Sequence, residues 1–161
     1  MEGSLPPPRT PEEDDLAHLC AALNAEGARY LVVGGMAMNQ HGMLRATADI
    51  NLLLERSREN QARVRKALEI LPDKAVREVT ENDLDHYVVV RVADEIVVDL
   101  MLSACGVTYD DAAGEIELRE LQGVTIPVAS ARLLLRTKQT YRERDTADRL
   151  FLQRKLEQQK D

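Results

Sequence analysis

The chain has 161 residues, enough for one domain with a substantial core and too few for two comfortable ones. Acidic residues outnumber lysine plus arginine by 28 to 21, and the resulting charge of -7 disfavours binding to an extended nucleic-acid duplex, while leaving room for a local basic site that takes a triphosphate or a tRNA end. No apolar stretch is long enough to span a bilayer, no signal sequence is evident, and Cys20 and Cys105 fall in no metal or redox spacing, so a cytoplasmic, reducing setting is expected.

Residues 1–9 contain three consecutive prolines and no periodicity, and are expected to form a flexible tail ahead of a single domain over 10–161. Thr10-Pro11-Glu12-Glu13 signals a helix start, with Thr10 as N-cap, Pro11 at the first helical position and Glu13 closing a capping box. Leu16, Leu19, Cys20 and Leu23 then recur at helical spacing, and the helix ends near Gly27. Cys20 on that apolar face reads as a small buried hydrophobe.

Tyr30 to Val33 reads as a short buried strand that runs directly into Gly34-Gly35 and a helix-length segment closing at His41-Gly42. Glycines there allow backbone amides at a helix start to approach a phosphate. His41 is expected to interact with the carbonyls at that helix end. A second strand carries Asp49 and Asn51 two residues apart, so both side chains share one face while Ile50, Leu52 and Leu54 point to the other. Arg45, just before it, either steers a phosphate or neutralises Asp49.

Ser57 is expected to cap a helix whose Val64, Ala67, Leu68 and Leu71 form an apolar stripe, with its arginines and lysine mostly in water, and which stops at Pro72. Residues 73–85 read as a loop or short helix. His86 to Val92 and Glu95 to Met101 have the pattern of a hairpin turning at Ala93-Asp94. Asp99 shares a face with Val97 and Met101, where a carboxylate is costly unless it is paired or bound to a cation, and its strand setting is expected to leave it otherwise unpaired. A further hairpin is expected over Glu115 to Leu121 and Val124 to Val128, followed by Ser130 as N-cap of a helix bearing Ala131, Leu134 and Leu135. After a break near Arg142 to Arg144, a last helix carries Ala147, Leu150 and Phe151 on its apolar face.

The Gly34-Gly35 turn, the short helix, Arg45-Ala46-Thr47, the Asp49-Ile50-Asn51 strand and the distant strand aspartate Asp99 resemble the minimal nucleotidyltransferases of the DNA polymerase β superfamily. The stand-alone bacterial proteins of toxin–antitoxin or abortive-infection systems are the nearest in pattern. The resemblance implies an α/β (α+β) nucleotidyltransferase fold, a mixed β-sheet flanked by helices with a C-terminal helical segment. It implies transfer of NMP from an NTP such as ATP to a hydroxyl of a small molecule, tRNA end or protein, by two Mg2+ or Mn2+ ions. Asp49, Asn51 and Asp99 take the catalytic and metal-ligand positions. Gly34, Gly35, Arg45, Thr47, Lys138 and Arg142 take nucleotide-binding positions, although Lys138, Arg142, Arg144 and Asp145 can equally be read as solvated helix charges in i,i+4 pairs.

One position departs from the pattern: the second aspartate of the strand is Asn51, which lowers the site's protein charge and impairs the implied chemistry. Asn51 is an engineered knockout, a native loss of activity or a tolerated ligand in a slow enzyme, and the otherwise intact motif favours the first over the second. The alternative is a non-catalytic antitoxin or adaptor of the same fold that binds a helical partner protein.

Overall fold

The computed structural model describes residues 6–138 and 143–159. Its elements run α1 (Glu13–Ala25), β1 (Tyr30–Val33), α2 (Gly34–Gln40), β2 (Asp49–Leu54), α3 (Arg58–Ala67), α4 (Asp83–His86), β3 (Val90–Ala93), β4 (Val97–Met101), β5 (Ser103–Ala104), β6 (Val107–Thr108), β7 (Ile116–Leu121), β8 (Val124–Ala129), α5 (Ala131–Thr137) and α6 (Glu143–Gln159). Six strands form one mixed sheet in the order β3-β4-β2-β1-β8-β7, with β1–β8 and β2–β4 parallel and the other neighbours antiparallel. β1 lies inside the sheet with all four residues buried, which is why its sequence is continuously apolar.

The apolar stripe of α1 places Leu16, Leu19, Cys20 and Leu23 in the core beside Val64, Ala67 and Leu68 of the α3 segment. Removing the bulk of one such leucine costs about 2–5 kcal/mol through lost burial and an unfilled cavity. The helix begins two residues later than its sequence suggests. Glu12 is the N-cap and forms a reciprocal capping box with Asp15, while Pro11 is buried ahead of it. Arg9, in the expected tail, is held by Asp15 at 2.6 Å and Glu95 at 2.7 Å.

Ser57 and Ser130 are the N-caps of α3 and α5, accepting from the amides of Asn60 and Leu133. The β7–β8 hairpin turns at Gln122-Gly123 as expected. The hairpin before it differs. β3 starts at Val90 because His86 closes α4, and the turn is Asp94-Glu95-Ile96. Asp94 anchors that turn, its carboxylate accepting from the amides of Asp73, Ala75 and Glu95 at 3.0, 2.9 and 2.7 Å.

The last helix is rotated relative to its sequence reading. Ala147 and Leu150 are exposed, whereas Asp145, Asp148 and Leu152 face inward. Two buried carboxylates take the inner face because Lys138 and Arg45 meet them there. His41 also differs: it is buried, and its Nε2 bonds to the Ala129 carbonyl at 2.8 Å on β8 rather than to its own helix end. No helix among the described residues is long and apolar enough to cross a membrane.

Candidate functional site

Strand register assembles the site. Val33 of β1 lies opposite Asn51 of β2, Asn51 opposite Asp99 of β4, and Asp99 opposite Arg91 of β3. Residues in such a row project to the same face at strand spacings of about 4.8 Å, and Asp49 follows two residues from Asn51 on that face. The expected split of β2 holds: Ile50, Leu52 and Leu54 are buried, and Asp49 and Asn51 are partly open.

Gly34 continues the row. Its φ of +72° is the left-handed region, and a Cβ there would stand 2.2 Å from Asn51 Nδ2, so both backbone and packing require glycine. Gly35 meets a different neighbour, with Thr47 Cβ 2.8 Å from where its own Cβ would stand. Thr47 in turn donates to the Asp49 carbonyl at 2.7 Å, tying the loop before β2 to the strand. The paired glycines therefore let the α2 start lie against Asn51 and Thr47.

Gly35, Arg45, Thr47, Asp49, Asn51, Asp99 and Lys138 line one cavity of about 640 Å³ together with Arg91. Gly34 lies next door, in a cleft of about 260 Å³ that shares Asn51, Val89, Met101 and Lys138 with the first. Every described residue of the expected constellation thus converges on one region. Arg142 lies outside the described residues.

Arg91 is the member that sequence reasoning missed. It forks onto Asp99, with Nε to Oδ1 and Nη2 to Oδ2 both at 2.9 Å, and reaches Asp49 Oδ2 at 3.3 Å. Asp99, 5% exposed, is therefore paired, contrary to the expectation from its apolar neighbours. The hydrogen bonds with Asp99, and then its charge, raise the Arg91 pKa above its ordinary value. Asp49, Asp99 and Arg91 together carry a formal charge of about -1, against about -2 for the carboxylates alone.

The other two cations are also committed. Arg45 Nη2 lies 2.9 Å from Asp148 Oδ2 and so neutralises α6 rather than Asp49. Lys138, only 8% exposed, lies 3.1 Å from the same oxygen and 3.5 Å from Asp145, which excludes the solvated-helix reading of this lysine. One oxygen, Asp148 Oδ2, thus joins the loop before β2 to the residue after α5. Asp148 Oδ1 has no hydrogen-bond partner among the described residues.

The donor set suits a hard cation that prefers oxygen: two carboxylates and one amide carbonyl converge on one face of the sheet. It supplies two carboxylates where a two-ion clamp bridged by three would use one more. No group of three or more His, Cys, Asp or Glu side chains able to hold a metal occurs among the described residues.

No protein-family model and no curated protein matches the sequence. A crystal structure of a candidate nucleotidyltransferase from Thermotoga maritima is similar with a TM-score of 0.54 and 18% identity, over 89% of this chain and 91% of that one. The mixed sheet, its flanking helices and the C-terminal helix agree with that likeness, and the chain has the nucleotidyltransferase fold.

Proposed function

We propose that this protein binds an NTP in the cavity over β2 and β4 and transfers its nucleotidyl group to a hydroxyl acceptor. The observation that carries the reading is the convergence of Asp49, Asn51 and Asp99 with the Gly34-Gly35 turn and Lys138, residues from four parts of the chain. An acidic strand face beside a glycine turn and a buried lysine offers opposite charges to the two ends of a metal–triphosphate.

Asp49 and Asp99, with the Asn51 carbonyl, would hold Mg2+ or Mn2+, which when bound neutralises phosphate charge and orients the reacting phosphorus. The acceptor oxygen forms a bond to the α-phosphorus while the bond to pyrophosphate breaks. Asp99, freed from Arg91, is placed to take the acceptor proton. Lys138, positioned by Asp145 and Asp148, would turn its ammonium N–H donors to the leaving phosphates. Asn51 contributes one neutral oxygen, and the chemistry is correspondingly slow.

Calorimetric titration of NTPs in Mg2+ tests this reading. The parent should bind, and Asp49→Asn should weaken binding by about tenfold or more. Equal affinity in a folded Asp49→Asn would contradict it.

A second reading is favoured by Asn51 and by the Arg91 clasp on both carboxylates: a non-catalytic module of a toxin–antitoxin pair that binds a helical partner. Exposed Tyr87 and Val88, at 63% and 77%, offer it apolar surface beside the site. Nucleotide binding without transfer of α-labelled NMP to any acceptor would favour this second reading.

A further inference from the structure

Arg91 stands on β3, an edge strand of the sheet, and its side chain is 60% exposed although its head is committed to two carboxylates. The fork uses one lone-pair direction on each oxygen of Asp99, and Nη2 takes Oδ2 of Asp49 besides. These are the oxygens that a divalent cation would need. A guanidinium and a divalent ion cannot share them cheaply, because the like charges would lie within a few ångströms of each other.

We propose that Arg91 is a built-in competitor for the divalent cation, clasping Asp99 and Asp49 and swinging out to water when the ion binds. The assignment rests on the nucleotide-binding reading only for the purpose it serves. The competition itself follows from the contacts. Two features of the fold suit it. The clasp neutralises Asp99, which is buried beneath the sheet's polar face and would otherwise be an uncompensated charge. The edge-strand position and the exposed stem give the guanidinium somewhere to go without moving β4. Arg91 is accordingly a positioning residue, setting how tightly the carboxylates take a metal.

The test uses Mn2+ alone, without nucleotide, on the full chain. Free Mn2+ is followed by electron paramagnetic resonance in the parent, Arg91→Gln and Arg91→Lys. Arg91→Gln should bind Mn2+ about tenfold more tightly. Arg91→Lys, which keeps the charge but loses the planar fork, should fall between. A folded Arg91→Gln that binds Mn2+ no more tightly than the parent overturns the proposal, as does Mn2+ binding by none of the three. Should Arg91→Gln fail to fold, Arg91→Lys decides: tighter binding than the parent supports competition, and equal or weaker binding overturns it. Failure of the nucleotide reading has a separate signature, since NTP titration would then give no binding whatever Arg91 does to Mn2+.

Discussion

Replacing Asn51 by Asp changes charge with almost no change of shape, and the structure allows its effect to be worked out in both directions. The side chain already fits against Gly34, whose missing Cβ leaves the space that Asn51 Nδ2 occupies. The new carboxylate would face Asp99 across the β2–β4 pair and Asp49 along β2. At separations of about 6 Å and an effective dielectric near 40, each repulsion is about 1.4 kcal/mol. Attraction to Arg91 offsets roughly one of the two, and partial exposure screens the remainder to about 1 kcal/mol. Without metal, Asn51→Asp should therefore melt about 2–4 °C below the parent. With saturating Mn2+ the sign reverses, because three carboxylates now face the ion, and the Mn2+-dependent rise in melting temperature should exceed the parent's. Differential scanning calorimetry with and without Mn2+ measures both arms. An apo melting temperature unchanged or raised, together with no larger Mn2+ increment, would refute the placement of these three residues around one cation.

Gly34→Ala should destabilise by about 2–4 kcal/mol in chemical denaturation, from the left-handed backbone and the collision with Asn51, and adding Asn51→Ala should recover part of that loss. Gly35→Val should also perturb the fold, because its Cβ meets Thr47, so lost nucleotide binding in that variant would need circular dichroism before it is read as a phosphate effect. Asp94→Ala should cost about 2–4 kcal/mol by leaving three amides without an acceptor. Burial opposes ionisation of Asp94, yet the amides of Ala75, Asp73 and Glu95 hold its pKa below the ordinary carboxylate value, so its contribution is complete above pH 4 and is lost as pH falls through the folded pKa. The penalty of Asp94→Ala should accordingly shrink only in acid. Burial lowers the His41 pKa, so between that pKa and the ordinary value near 6.5 the unfolded chain binds more protons and stability falls as pH drops. His41→Gln should flatten the dependence of melting temperature on pH over 7.5 to 5.

Much of the fold could be read in the sequence because single elements announced themselves. The burial of β1, the alternation of β2, the caps Ser57 and Ser130 and the Gln122-Gly123 hairpin follow from local rules. What local rules missed were long-range pairings. A two-residue turn at Ala93-Asp94 would place Val88 opposite Asp99, whereas the three-residue turn fixed by Asp94 places Arg91 there. The signal was the alternation Val90-Arg91-Val92, which puts a lone cation on one face of a strand otherwise apolar on the other. Asp145 was open to a solvated reading, and Asp148 gave no signal at all, for a related reason. Aspartates at helical spacing read as a solvated face, and it is their ion pairs with Arg45, distant in sequence, and with Lys138, at the end of α5, that turn that face inward.

Whether a metal–nucleotide sits over β2 and β4 is decided by crystallography with a non-hydrolysable NTP analogue and Mn2+. Anomalous density for manganese is expected within ligand distance of Asp49 and Asp99, with Arg91 turned away from both, and phosphates between the Gly34-Gly35 turn and Lys138. Manganese and phosphates bound elsewhere on the chain, with the Arg91 clasp on Asp99 intact, would contradict that placement.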